Sequence, residues 1–337
     1  MLHAYQKPKL SYIDSLRGVA IIMVIMVHTS QSITGLANTS LILGYCKTGV
    51  QLFFILSGFT LCLSMSQRHD GNLNFYIRRY FRIAPLYYLA IIIYYLKTIH
   101  HLIPQFVRHP SQIVIFGHGS YTFFNVLCNI LFIHGVVPSA NNGIVPGGWS
   151  IGTEMLFYLI FPFIFKLYAN IRNRTMYFII PAISFLLSLI YSLSCRYLFK
   201  VDQFDLTSFY FYNIINQLPI FLLGISLFFS GINIRKGYSL AAFLILFSMS
   251  LIFYVAVIND ISISNFVAGL SFVFLFIFFR NISKSNFKIL SRIGQLSFSI
   301  YIFHFLFAWP LSLYLDKILH TNPLFTLLIC IISTLSL

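Results

Sequence analysis

The chain has 337 residues, of which 58% are apolar and only 9% charged, and its mean hydropathy is +0.85. A soluble domain carries roughly 25% charged residues, so this composition excludes a soluble enzyme and a disordered chain and predicts an all-α integral membrane protein. The net charge of +15 does not indicate a nucleic-acid partner, because the Lys and Arg residues of membrane proteins collect in cytoplasmic loops.

Ten apolar stretches are long enough to cross a bilayer as helices, since a span needs about 20 residues. In chain order they are 18–36, 48–66, 84–99, 149–169, 175–195, 209–230, 238–258, 261–279, 293–315 and 323–337. The first follows basic residues as a signal peptide would, but no small-residue cleavage site comes after it, so we expect a retained helix. One further apolar run, 123–137, is short and is interrupted by Asn125 and Asn129.

The distribution of basic residues predicts how these stretches are oriented. If the N-terminus is cytoplasmic and 123–137 does not cross, 16 of the 22 Lys and Arg residues face the cytoplasm and 6 face outward. If 123–137 crossed alone, the later basic clusters would face outward and this bias would disappear. We therefore expect about ten transmembrane helices with both termini cytoplasmic, and a segment 97–148 that enters and leaves on the outer side.

A single transmembrane domain is expected over 1–337, with no appended soluble domain. The five cysteines show no C-x-x-C spacing and lie mostly in apolar runs, which favours small buried side chains over a zinc site or a disulfide framework. These cysteines are Cys46, Cys62, Cys128, Cys195 and Cys330.

The first predicted helix carries three ionisable residues, and such residues inside a membrane are costly enough to be candidates for function. Asp14 and Arg17 are three residues apart and can pair on one helix face. His28 follows Arg17 by about three turns, so the two share a face roughly 16 Å apart along the axis. A neutral imidazole at that depth is either a base, a proton relay or a ligand, or a satisfied core residue.

Three arginines, Arg78, Arg79 and Arg82, lie just before the third span. In one interpretation the cluster is a positive-inside topology signal. In the other it is a phosphate clamp, because the guanidinium fork matches phosphate oxygens. Arg79 and Arg82 face the same way if this stretch is helical.

Glu154 is the only glutamate in the chain and follows Trp149 and Ser150 within two turns of the fourth predicted span. This cluster is either part of a functional site or a polar anchor at the outer end of the helix. Ser57, in a stretch rich in small residues, and His304, inside the span 293–315, are weaker signals.

Five further histidines lie in or near the outer segment, and their spacing is not that of a metal site. They are His100, His101, His109, His118 and His134. We therefore expect no metal and no bound cofactor.

Five blocks of sequence, spread in order over nearly the whole chain, resemble the membrane acyltransferase 3 family. They are YIDSLRGVAIIMVIMVH, GVQLFFILSGF, FYIRRYFRIAPLYY, WSIGTEMLFYLIFP and LSFSIYIFHF. The family's motifs fall on residues already described: Arg17 and His28, Arg79 and Arg82, and Trp149, Ser150 and Glu154. Some family members carry a soluble domain after the last span, which we do not expect here, and many end with a polar tail, whereas this sequence ends within the apolar run FTLLICIISTLSL.

The resemblance implies an O-acetyltransferase of the bacterial inner membrane that moves acetyl from acetyl-CoA onto a polysaccharide such as O-antigen or its lipid-linked precursor. The implied donor-binding residues are Arg17, Arg78, Arg79 and Arg82. The implied catalytic residues are His28, as the base, and Glu154, which orients it. Acceptor binding or structural support falls to Asp14, Ser57, Trp149, Ser150 and His304.

Two other functions stay open at this point. A proton-coupled transporter could use Glu154 and His28 as a relay, although no inverted repeat is visible in the sequence. A polysaccharide flippase or polymerase would not need a cytoplasmic arginine cluster beside a histidine within the membrane.

Overall fold

A computed structural model describes residues 10–36, 41–68, 71–99, 121–199, 209–256, 261–282, 287–319 and 322–336. Within these ranges the regular elements are α-helices and short 3-10 turns, and no strand occurs, which confirms the all-α class. The helices are α1 (Ser11–Ser30), α2 (Leu41–Tyr45), α3 (Gly49–Ser66), α4 (Gly71–Ile99), α5 (Phe123–Ile130), α6 (Gly148–Ala169), α7 (Met176–Phe199), α8 (Phe209–Tyr212), α9 (Ile214–Ser230), α10 (Lys236–Ala256), α11 (Ile261–Asn281), α12 (Lys288–Leu319) and α13 (Pro323–Ser336).

Seven helices of the described chain are long and apolar enough to cross a membrane, judged by length and composition. They are Ser11–Ser30, Ile42–Ser66, Gly148–Ala169, Met176–Cys195, Lys236–Val255, Ser262–Asn281 and Lys288–Lys317. Two more apolar helices, α9 and α13, have 17 and 14 residues. The chain is therefore a polytopic helical protein, while the count of ten spans and the sides of the termini stay predictions.

Several predicted spans have different bounds in the structure, since α4 and α12 also extend well beyond 84–99 and 293–315. The first helix begins at Ser11 and ends at Ser30 instead of covering 18–36, so its polar first turns are helical as well. The predicted span 209–230 is divided into α8 and α9. Asn213 causes this break, because its side-chain carbonyl accepts hydrogen bonds from the amides of Ile215 (2.9 Å) and Asn216 (3.3 Å) and so caps the start of α9.

α1 and α12 run in the same direction and pack against each other along their length. Near their starts, an added Cβ at Gly294 would overlap a carbonyl oxygen of α1. Further along, the rings of His28 and His304 are neighbours, and beyond them the hydroxyls of Ser32 and Ser312 are hydrogen-bonded. Small residues at such contacts let two helix backbones approach closely, and this approach holds the polar faces of α1 and α12 together.

Glycine also sets the spacing between α3 and α9. An added Cβ at Gly58 would overlap the Phe221 carbonyl oxygen, and one at Gly224 would overlap that of Ile55. The two helices therefore touch backbone to backbone at these points, which fixes α3 in the bundle.

Residues 121–147 fold into a compact segment that leads into α6. The helix α5 has eight residues, about 12 Å, and is too short to cross a bilayer. A buried polar network ties the segment to α4: Tyr87 donates to Asn129 Oδ1 (2.7 Å), whose amide donates to the Ala140 carbonyl (3.0 Å). His134 Nε2 lies 3.0 Å from the Gly148 carbonyl oxygen, and burial lowers the pKa of His134 to about 4. Hydrogen bonds between uncharged groups thus hold this segment against α4 and against the start of α6.

All five cysteines are buried, as predicted.

Candidate active site

Residues from five helices line a cavity of about 80 Å³, enough for several water molecules or a small acyl group. Its polar lining consists of Arg17, Ser57, Thr60, Arg82, Ser150, Glu154, Ser297 and Tyr301. Its apolar lining consists of Val50, Phe53, Phe54, Ile151 and Phe298. The cavity therefore joins candidate residues that are far apart in the sequence, from α1, α3, α4, α6 and α12.

Glu154 is held in this cavity by two hydroxyl groups. Ser57 Oγ and Tyr158 OH both donate to Glu154 Oε1, each at 2.6 Å. Two cations, Arg17 and Arg82, line the same cavity. Glu154 and the two arginines therefore place opposite charges in one cavity wall, which can bind a polar ligand.

The start of α6 packs against the middle part of α12. This contact sets the depth of Glu154 in the helix bundle. The hydroxyls of Ser150 and Tyr301 are 2.7 Å apart, and Tyr301 OH also donates to the Gly147 carbonyl (3.1 Å). Tyr301 lies 13 residues beyond Lys288, roughly 20 Å along the helix. The α6 start is therefore well inside the bundle, because residues 121–147 fold inward.

This arrangement corrects the predicted relation between Glu154 and His28. The family resemblance implied that Glu154 orients the imidazole of His28. Instead Glu154 shares the cavity with Arg17, and His28 is neither in the cavity lining nor among the contacts of Glu154 in the described chain.

The three arginines of α4 divide between two faces. The Arg79 guanidinium lies over the rings of Phe75 (5.5 Å) and Tyr158 (5.9 Å), and Tyr158 is the residue that donates to Glu154. Arg82 lines the cavity, whereas Arg78 does not. Since Arg79 and Arg82 are one turn apart on a continuous helix, their predicted common orientation is confirmed.

On α1, the predicted ion pair is present, with Arg17 Nη1 3.1 Å from Asp14 Oδ1. Asp14 is thus a support for Arg17 at the cavity edge. The Arg17 side of α1 faces α12, because Ser297 and Phe298 line the same cavity.

A pair of histidines lies further along the same two helices. The His28 ring centre is 5.3 Å from that of His304 and 4.5 Å from that of Phe305. His304 is 1% exposed, and its Nδ1 lies 2.7 Å from the Tyr301 carbonyl oxygen. Tyr301 therefore links the cavity to the histidine pair. Its hydroxyl lies in the cavity wall, and its carbonyl oxygen lies next to His304 Nδ1.

Trp149 does not line the cavity. Its ring stacks on that of Tyr212 with centres 4.2 Å apart, and the side chain is 8% exposed. Its neighbour Ser150 faces the cavity instead. Trp149 thus packs behind the α6 start, and its role in acceptor binding or structural support stays a prediction.

Two tyrosines that sequence analysis did not select belong to the site. Tyr158 follows Glu154 by four residues and Tyr301 precedes His304 by three, so helical spacing from a candidate residue was the available signal. No group of three or more His, Cys, Asp or Glu that could hold a metal occurs in the described part of the chain. His100, His101, His109 and His118 lie outside it.

Comparison with protein families identifies the chain. The family model described as an acyltransferase domain matches residues 10–336. The chain belongs to the acyltransferase 3 family. No solved structure matches it.

Two relatives of this acyltransferase 3 protein resemble it over part of its length. The exopolysaccharide production protein ExoZ of Rhizobium meliloti is 29% identical over 115 residues, which are 34% of this chain and 32% of ExoZ. The peptidoglycan O-acetyltransferase OatA of Listeria monocytogenes is 27% identical over 167 residues, 47% of this chain and 24% of OatA. The matches thus span about a third and a quarter of the lengths of these relatives.

Proposed function

We propose that this protein transfers an acyl group, most simply acetyl, from acetyl-CoA to a hydroxyl of a surface polysaccharide or its lipid-linked precursor, with O-antigen as the acceptor class. The observation that carries the proposal is the cavity in which Arg17, Arg82 and Glu154 meet the hydroxyls of Ser150 and Tyr301. The names of the two relatives support the acceptor class, since one produces exopolysaccharide and the other acetylates peptidoglycan. The protein would work in the bacterial inner membrane.

The arginines are the proposed donor-binding groups. Phosphate oxygens accept paired hydrogen bonds from a guanidinium, which makes arginine the side chain best suited to the phosphates of acetyl-CoA. Arg82 and Arg17 line the cavity, and Arg79 lies next to it over Tyr158. We assign the binding of acetyl-CoA to these three arginines and interpret Arg78 as a topology signal.

The orientation of the chain is part of the proposal. With ten spans and both termini cytoplasmic, the arginines of α4 face the compartment that contains acetyl-CoA. The bias of 16 basic residues against 6 supports this orientation.

His28 is the proposed general base. His28 lies beyond the Tyr301 wall of the cavity, so the acceptor hydroxyl and the thioester must extend past Tyr301 to reach it. There it takes the proton of that hydroxyl while the oxygen attacks the thioester carbon. The C–S bond then breaks, and the CoA thiolate takes the proton from the His28 imidazolium, so that protons and charge balance.

Glu154 is the proposed holder of the acceptor sugar. Its Oε1 is fixed by Ser57 and Tyr158, so the carboxylate is positioned in the cavity before a ligand arrives. Carboxylates accept hydrogen bonds from sugar hydroxyls, and a fixed carboxylate does so at a lower entropic cost.

The proposal is tested with membranes that contain the protein. Radiolabelled acetyl-CoA should transfer its label to polysaccharide with stoichiometric release of CoA, and the polysaccharide should gain an O-acetyl signal in its NMR spectrum. Membranes with the His28→Ala variant are the control. Uptake of a solute without CoA release would support a transporter instead and contradict the proposal.

A further inference from the structure

The pair formed by His28 and His304 contains a buried nitrogen that the proposed chemistry has not used. His304 Nδ1 lies 2.7 Å from the Tyr301 carbonyl oxygen, and a carbonyl only accepts, so Nδ1 carries the proton. In a neutral imidazole the other nitrogen is then a lone-pair acceptor. His304 Nε2 is this acceptor, and within the described part of the chain it is buried without a hydrogen-bond partner. A buried acceptor without a partner is costly and calls for an explanation.

The ring of His28 is suitably placed to supply the missing donor. Two imidazoles joined by an in-line N–H···N hydrogen bond of about 2.9–3.0 Å have ring centres roughly 5 Å apart. The centres of His28 and His304 are 5.3 Å apart, with the planes inclined by 38°. The terminal torsion of a histidine ring is soft, and catalytic hydrogen bonds commonly tighten when a ligand binds.

We propose that His304 is a positioning residue that accepts, at Nε2, a hydrogen bond from one ring N–H of His28 and thereby makes the opposite nitrogen of His28 the base. This inference rests on the proposed role of His28 in acyl transfer. The hydrogen bond on one ring nitrogen decides which nitrogen carries the proton. The family resemblance assigned the orienting of His28 to Glu154, and here His304 performs it. The Tyr301 carbonyl in turn holds His304 in place by accepting the hydrogen bond from its Nδ1.

The neighbouring Gln31 does not perform the same task. Its side chain is within hydrogen-bonding reach of His28 but is exposed. An amide side chain can either donate or accept, so it does not select a tautomer. His304 Nε2 can only accept, and this restriction fixes the tautomer of His28.

Two substitutions at position 304 separate positioning from packing. His304→Phe keeps an aromatic ring against Phe305 and His28 but has no acceptor, whereas His304→Gln loses the ring and keeps an acceptor near the Nε2 position. We expect His304→Phe to lower kcat about 10- to 100-fold, the usual cost of losing an orienting partner, with KM for acetyl-CoA nearly unchanged. His304→Gln should retain several-fold more activity than His304→Phe.

Which of the two variants is the more active decides whether His304 positions His28 or only packs against it. If His304 only packs, the phenylalanine variant is the more active one, and the proposal is overturned. Equal losses in the two variants, with equal accumulation and thermal stability, would overturn it as well.

A second measurement on the unmodified protein keeps the proposal testable if either variant fails to fold. Solid-state NMR of protein labelled with ¹⁵N-histidine in lipid bilayers distinguishes protonated from unprotonated ring nitrogens. We expect an unprotonated, hydrogen-bonded Nε2 for His304 and a single tautomer for His28. A protonated His304 Nε2 contradicts the proposal whatever the activity is, and an intact pair in a protein that transfers no acyl group would contradict the proposed function alone.

Discussion

Replacing Arg82 by alanine is the most direct way to separate a donor clamp from a topology signal. Arg82 lines the cavity, and Arg78, one turn earlier on the same helix with the same charge, does not. A charge-assisted hydrogen bond is worth about 1.5–3 kcal/mol. Because Arg82 is exposed, water screens the contact and the lower value applies, which corresponds to about a tenfold increase in the Kd of acetyl-CoA.

The measurement is equilibrium binding of tritiated acetyl-CoA to purified protein in lipid nanodiscs. Arg82→Ala should bind about tenfold more weakly, and Arg82→Lys should recover only part of the loss, since lysine lacks the planar fork. Arg78→Ala is the matched control and should bind as the wild type does. Wild-type affinity in Arg82→Ala, or the same loss in Arg78→Ala, would refute the clamp and leave the cluster as a topology signal.

Three further variants test the base, the carboxylate and the packing of the bundle. His28→Ala should abolish transfer of label from acetyl-CoA while the protein still inserts and accumulates, and near-normal transfer would remove it as the base. Glu154→Gln should lower turnover strongly with little change in acetyl-CoA binding, because the amide keeps the shape and loses the charge; unchanged turnover in folded protein would reduce Glu154 to a structural anchor. Gly58→Ala should lower the free energy of unfolding by about 1–3 kcal/mol, because its Cβ would overlap the Phe221 carbonyl oxygen. Gly237→Ala, where nothing lies within 4 Å of the added Cβ, is the control in thermal unfolding, and equal melting temperatures of the two variants would contradict the packing argument.

Composition and local periodicity predicted the features that depend on neighbours in the chain. The length of the apolar runs predicted most of the helices, since a bilayer sets a minimum length. The spacing of three residues predicted the ion pair of Asp14 with Arg17 and the common orientation of Arg79 and Arg82. The break at Asn213 was missed because a capping side chain within an apolar run is a weak signal.

The features that depend on depth and on helix pairing were decided by the tertiary structure alone. Periodicity shows which side of its own helix a residue occupies, but it contains no information on which helix faces that side or at what level. The level of Glu154 follows from the inward folding of residues 121–147, which brings Ser150 against Tyr301. The partner of His28 follows from the close parallel packing of α1 on α12, which sets His304 beside it. The sequence by itself therefore determined the class of the protein and most of its candidate residues, and the packing of distant helices decided which of those residues meet.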